Sequence, residues 1–190
     1  MELPIFLEQE FIHQDFTHNP LPKGEYENCV FSQCRLANSF LDSQIFLECR
    51  FEACDLSHAR LAHSSLRDVR FKDCKLLGVD FEKCNPLLFS VDFENCKLDY
   101  ASFCGRTLKD TSFADCQLAH VDFTGANLTK AVFDRADLSM AVFLGCDLSG
   151  ADFRSALNFD IDPGANKLAK CRFASDGLAG LLKKHDIVID

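Results

Sequence analysis

Residues 121–155 read VDFTG ANLTK AVFDR ADLSM AVFLG CDLSG ADFRS. Each block of five carries a small residue, often a polar one, then Phe or Leu, then two mostly polar or small residues. Taking the Phe or Leu as the centre, the pattern extends back through Phe11, Phe16, Leu21, Tyr26, Phe31, Leu36, Leu41, Phe46, Phe51, Leu56, Leu61, Leu66, Phe71, Leu76 and Phe81. It runs forward from Phe93 through Leu98, Phe103, Leu108, Phe113 and Leu118 to Phe153. A period of five matches neither a helix nor an ordinary strand. It matches a chain that turns a corner every five residues, so that four blocks close one square coil. The centre and the residue two before it then point inward. Adjacent coils hydrogen-bond as neighbouring strands about 4.8 Å apart, and no coil buries a core alone.

Centres twenty apart should therefore stack. Phe11, Phe31, Phe51, Phe71, Phe93, Phe113, Phe133 and Phe153 form one column, and Phe16, Leu36, Leu56, Leu76, Leu98, Leu118 and Leu138 the next. The columns stay pure only if a two-residue bulge lies near residues 86–90. The same count places Cys29, Cys34, Cys49, Cys54, Cys74, Cys84, Cys96, Cys116, Cys146 and Cys171 two residues before a centre, where Ala126, Ala131, Ala136, Ala141 and Ala151 stand elsewhere. Cysteine at these positions reads as a small hydrophobe. Cys34, Cys54, Cys74, Cys96 and Cys116 should form one inward column. Parallel Cβ directions argue against disulfides, and the C-x4-C spacing is that of the repeat rather than of a zinc site.

Blocks such as ANLTK, ADLSM, CDLSG and ADFRS resemble the pentapeptide repeat proteins, and the resemblance covers about residues 6–156. It implies an all-β solenoid, a right-handed quadrilateral β-helix of pentapeptide repeats with a short C-terminal helix. The tail FASDGLAGLLKKHDIVID (173–190) resembles the ends of the Qnr and MfpA group. That resemblance implies a DNA mimic that binds bacterial type II topoisomerases, DNA gyrase or topoisomerase IV, and modulates them or protects them from quinolones. It also implies a homodimer through the C-terminus. The alternative is a structural or scaffold pentapeptide protein with another protein partner. Qnr proteins commonly carry two longer loops, and this chain has only the bulge.

The organisation expected is an N-terminal cap over 1–10, the repeat β-helix over 11–156, and a cap and dimerisation segment over 157–190. In the segment KCNPLLFSVDF (83–93), Pro86 falls where a centre is due and has no N–H for the ladder. Leu87, Leu88 and Phe89 cannot all point inward. Two readings stand: a partner contact made by Pro86, Leu87, Leu88 and Phe89, or a packing defect with one residue turned in as the missing centre. Arg106 occupies an inward small position, and snorkelling at the coil edge is the only account the sequence offers for it.

Catalytic motifs are missing: there is no H-E-x-x-H, G-x-S-x-G, phosphate-binding loop or dinucleotide glycine pattern. His58, His63 and His120 fall on outward positions. Asp55, Asp80, Asp92, Asp122, Asn127, Asp137, Asp147 and Asp152 precede centres and suit side-chain bonds to turn backbone. A non-enzyme without cofactor or metal is expected. Net charge is −9, which disfavours direct binding to nucleic acid or anionic lipid. No apolar run approaches the ~18 residues that span a membrane, and MELPIFLEQE lacks the features of a signal peptide. A soluble, cytoplasmic protein is expected.

Function should then reside on the outside. Asp92, Glu94, Asp115, Asp134 and Asp152 mark a candidate acidic face. A rod of about eight coils is about 40 Å long, and B-DNA of that length carries roughly 24 charges, so the charge is a diluted imitation. At the C-terminus, Ser175 or Asp176 suits a helix cap. Leu178, Leu181 and Leu182 share one helical face at i, i+3 and i+4, and Ile187–Val188–Ile189 reads as a short strand. Leu178, Leu181, Leu182, Ile187 and Ile189 are the candidate cap and dimer residues.

Overall fold

The computed structural model describes residues 3–185 and 187. The chain is a parallel β-solenoid with four faces per coil. Strands β1 (Ile5–Leu7), β2 (Glu10–Ile12), β3 (Glu25–Glu27), β4 (Val30–Ser32), β5 (Ile45–Leu47), β6 (Arg50–Glu52), β7 (Ser65–Lys72), β8 (Phe89–Glu94) and β9 (Phe113–Ala114) form a nine-stranded sheet. All pairings are parallel: Phe6 sits opposite Tyr26 and Phe11 opposite Phe31, twenty residues apart. Isolated bridges such as Asp137↔Leu157 carry the same register through the remaining faces. Residues 5–7 are thus part of the first coil rather than a separate cap.

In chain order from Phe11 the faces are a phenylalanine face, a leucine face, a third face beginning at Leu21 and a fourth beginning at Tyr26. On the phenylalanine face the rings stack in one file. Phe11 to Phe31 is 4.7 Å between centroids, Phe93 to Phe113 is 5.4 Å and Phe133 to Phe153 is 4.5 Å. The file continues to Phe173, 5.4 Å from Phe153.

A second aromatic file changes face midway. Phe6, Tyr26 and Phe46 occupy the fourth face, whereas Phe81, Phe103, Phe123 and Phe143 occupy the third; each file meets the phenylalanine face largely edge-on. Leucines fill the complementary positions, Leu41 and Leu61 early, Leu128 and Leu148 late, and all are buried. Most coils therefore bury two rings and two leucines, which keeps the cross-section constant at close packing.

Most corners turn through a residue with positive φ, two after the centre: Asn38 at 58°, His58 at 55°, Asp110 at 60°, Lys130 at 59°. At tight corners the centre carbonyl accepts the N–H three residues on, as Ala59 N–H to Leu56 O (2.9 Å) and Ala126 N–H to Phe123 O (2.8 Å), the hydrogen bond of a type II turn. At several wide corners that bond is not made, and a thiol from the following coil donates to the centre carbonyl instead. Cys34 Sγ donates to Phe11 O (3.1 Å), Cys54 Sγ to Phe31 O (3.2 Å), Cys49 Sγ to Tyr26 O (3.2 Å) and Cys96 Sγ to Phe71 O (3.3 Å). Cysteine at these positions supplies a donor that alanine lacks. The cysteines are free thiols.

At the C-terminal end, Asn158 and Pro163 leave the core, and Phe159 and Ile161 are buried in their stead. The expected helix is a 3-10 helix, Ser175–Leu181, followed by a second at Lys183–His185. Its N-cap is Ala174, without a side-chain cap, rather than Ser175 or Asp176. The reason is close approach: a Cβ on Gly180 would lie 2.6 Å from the Phe159 ring and carbonyl, and one on Gly177 would lie 3.2 Å from the same ring. In a 3-10 helix residues three apart share a side, so both glycines rest on Phe159. Leu182, at i+4 from Leu178, then no longer continues the Leu178 and Leu181 row.

Candidate interaction surface

The interruption at 83–93 is built from four local events. Phe81–Lys83 forms a 3-10 turn capped by Asp80, whose carboxylate accepts from Glu82 N–H. Asn85 holds register through its N–H to Ser64 O (2.7 Å) and turns the chain outward by accepting Leu87 N–H on its side chain (3.1 Å). The chain returns when Leu66 N–H reaches Leu88 O (2.9 Å), and Leu66 pairs with Phe89 rather than with Pro86. One position is then recovered, since Val69 pairs with Val91. Leu87 is 89 % exposed, Pro86 is exposed, Leu88 is half-buried, and Phe89 turns in against the core, edge-on to Phe81 at 6.1 Å. Phe89 thus takes the place of the missing centre, and Leu87 projects.

Arg106 belongs to the same feature. In a regular rung the carbonyl two before a centre accepts an N–H from the next coil, as Cys74 O does from Lys97 (2.9 Å). At the interruption, Cys84 O accepts instead from Arg106 Nη1 (3.0 Å), and Glu82 O from Nη2 (2.6 Å). Glu82 O is available because the 3-10 turn passes its rung bond to Lys83 O, which accepts His63 N–H (2.8 Å). The guanidinium lies 5.7 Å from the centroid of Phe89, and Arg106 Nε is buried without a partner among the described residues. The side chain is a brace for the projecting loop.

The five acidic residues of the phenylalanine face do not form an uncompensated stripe. Asp115 takes two bonds of 2.6 Å from Arg135, whose Nη1 also reaches Asp134 at 2.6 Å. Glu94 pairs with Lys72 at 2.7 Å, and Asp152 with Arg154 at 2.7 Å and Arg172 at 3.4 Å. Arg135 and Arg154 hold the carboxyls of Asp115 and Asp152 below the usual carboxylate range. Asp92 instead accepts Ser112 N–H from the next coil (2.9 Å). A shallow open groove of about 400 Å³ crosses this face, walled by Arg50, Arg70 and Lys72 against Glu52, Asp92 and Glu94. Carboxylates outside any ion pair among the described residues cluster elsewhere, at Glu8, Glu25, Glu27 and Glu48 around the first coils of the fourth face.

The recurrent Asx residues serve the backbone. Asp55, Asp80, Asp122, Asn127, Asp137, Asp147 and Asp152 each accept the N–H two residues on, at 2.8–3.1 Å. No group of His, Cys, Asp or Glu among the described residues is arranged to hold a metal ion. Burial pushes the Cys49 thiol up to about 12 and Cys84 to about 11. No helix among the described residues is long and apolar enough to cross a membrane. At the C-terminal end Leu178, Leu182 and Ile187 are exposed and Leu181 is half-buried; Ile189 lies outside the described residues.

The architecture can now be set beside known proteins. Comparison with curated proteins gives no match. Among solved structures, a trypsin-treated form of QnrB1, a plasmid-mediated fluoroquinolone resistance protein, superposes with a TM-score of 0.72 over 100 % of both chains at 17 % identity. HetL, a pentapeptide repeat protein involved in heterocyst differentiation regulation from the cyanobacterium Nostoc, gives 0.59 over 93 % of this chain and 89 % of that one, at 22 % identity. At such identities the likeness is one of fold. The family described as the pentapeptide repeat region matches residues 25–86 and 87–158, two stretches that meet at the interruption. The chain belongs to the pentapeptide repeat family.

Proposed function

We propose that this chain is a non-enzymatic binding rod that occupies the DNA-binding saddle of a bacterial type II topoisomerase, DNA gyrase or topoisomerase IV, and modulates or protects the enzyme against quinolones. The observation that carries this reading is the end-to-end superposition on QnrB1, which extends through the C-terminal segment. The filled core supports a role in binding, since stacked rings and leucines leave no enclosed cleft for a substrate. Leu87, held away from the rod, is the contact that reaches the enzyme. The exposed Leu178, Leu182 and Ile187 join two copies end to end, doubling the length of the rod, in the cytoplasm.

A second reading, a scaffold for another protein, is favoured by one observation: four of the five carboxylates of the candidate acidic face pair with Arg135, Arg154 or Lys72. The deciding experiment is a gyrase supercoiling assay titrated with the protein, with and without a fluoroquinolone, alongside a variant lacking Leu87 and Leu88. Inhibition at high protein or rescue at low protein is expected, and the deletion should weaken both. No effect across micromolar concentrations would leave the scaffold reading.

A further inference from the structure

The corner between the leucine face and the third face carries a continuous ridge. Its successive corner residues are His58, Gly78, Tyr100, His120 and Met140. The backbone locks them in register: His58 N–H bonds Leu77 O (2.8 Å), Gly78 N–H bonds Asp99 O (2.9 Å), Tyr100 N–H bonds Ala119 O (2.9 Å) and His120 N–H bonds Ser139 O (2.9 Å). The His58 ring lies over Gly78, where any Cβ would come within 2.7 Å of it. Tyr100 and His120 stack with centroids 4.8 Å apart and planes 4° from parallel. Tyr100 is 66 % exposed and Met140 70 % exposed, and Val142 and Leu144 beside Met140 are also exposed. The other exposed mid-rod aromatic differs: Phe40 is covered by the Arg60 guanidinium, 4.9 Å from its centroid.

Asp99 and Asp122 flank the ridge, with Lys75 and Lys97 farther along the leucine face. Asp99 and Asp122 each give one oxygen to a backbone N–H, of Ala119 (2.9 Å) and Thr124 (2.8 Å). Neither enters an ion pair among the described residues. An apolar, aromatic strip edged by unpaired carboxylates is complementary to a segment with both apolar and basic side chains. A second copy would bring the same carboxylates against each other, and nucleic acid or an anionic membrane is repelled for the same reason. Four coil steps of about 4.8 Å accommodate roughly six extended residues along the edge.

We propose that this ridge, centred on Tyr100, His120 and Met140, is a docking strip for an extended segment of a partner protein that carries apolar and basic residues. The assignment is independent of the topoisomerase reading. Aromatic faces and thioethers receive aliphatic and guanidinium groups, and Asp99 and Asp122 receive the cations.

The chain reports on its own ridge. It has no Trp and two Tyr; Tyr26 is fully buried, so the accessible tyrosine is Tyr100. The probe is an eight-residue peptide of alternating leucine and arginine with blocked ends, also made with a fluorescent label. Titration should change tyrosine emission saturably, and a peptide with serine in place of leucine should bind about tenfold more weakly or worse. Tyr100→Asn with Met140→Asn should weaken binding of the labelled peptide at least about tenfold. Asparagine tolerates the positive φ of these corners, so the coil should survive; Met140→Asn alone serves if the double variant unfolds, with a loss in the same direction. Failure of the leucine–arginine peptide to bind, equal binding of the serine peptide, or unchanged affinity in a folded variant would each overturn the assignment.

Discussion

The Arg106 guanidinium sits 5.7 Å from the ring centroid of Phe89 while bonding the carbonyls of Glu82 and Cys84. One side chain thus takes over two ladder bonds that the interruption removes and closes over the aromatic ring that stands in for the missing centre. Arg106→Ala should strip donors from both carbonyls. Water reaches Glu82 O readily, so the loss should be about 1–3 kcal/mol, read by urea denaturation. A loss below about 0.5 kcal/mol would show that the loop holds its shape unaided.

Phe113→Ala tests the ring file. Phe113 is fully buried between Phe93 and Phe133, at 5.4 and 5.1 Å. Neighbouring coils cannot collapse into the gap without breaking their register, so the variant should lose about 3–5 kcal/mol. Thermal unfolding measures it, and a loss under about 1 kcal/mol would contradict continuous stacking.

The thiols predict an alkaline limit. A thiol whose folded pKa lies above its unfolded value keeps its proton in the native state while the unfolded chain releases it. Stability is therefore full below the unfolded pKa of about 9 and falls as pH rises toward the folded values, about 11 for Cys84 and about 12 for Cys49. Melting temperature should decline between pH 9 and 11, and Cys49→Ala should flatten the decline. In the native protein at pH 8, a disulfide reagent should react chiefly at the half-exposed Cys104 and Cys171, and all eleven cysteines should react after unfolding.

Gly180→Ala should unseat the C-terminal segment. The added methyl meets the Phe159 ring and carbonyl at 2.6 Å, and the bond from Ile161 N–H to Gly180 O (3.0 Å) would be displaced with it. Hydrogen exchange over residues 175–182 should accelerate while exchange in the coils around Phe113 stays slow. Unchanged protection of the segment would count against its docking on Phe159.

The inward columns were legible because the period of five fixes both which residues point in and which stack, and the Phe and Leu centres from Phe31 to Phe153 are buried outside the interruption. Four features were not. Cysteine and alanine share a position in the repeat, but which centre carbonyls receive a thiol bond depends on corner geometry, a backbone property that composition does not encode. Counting residues gives only the net excess at 86–90, so the loop over 86–88, the recovered position before Val91 and their brace Arg106 stay hidden until the coils are stacked. The five carboxylates marked an acidic face, but which of them pair across coils, as Asp115 does with Arg135 twenty residues on, depends on side-chain geometry that the period does not specify. The terminal 3-10 helix follows from the contact of two glycines with Phe159, which no local pattern announces.

The positive-φ corners have a consequence for variation. Glu48, His63, Asp73, Tyr100, Lys130, Arg135 and Met140 all occupy them, so acids, bases, rings and thioethers are accepted at the same backbone geometry. Because the coil path is set by two inward positions in five, the exterior is free to drift chemically without retuning the core. A lineage can exchange its entire outer chemistry, and with it its choice of partner, while retracing one path, which is how 17 % identity coexists with superposition along the whole chain.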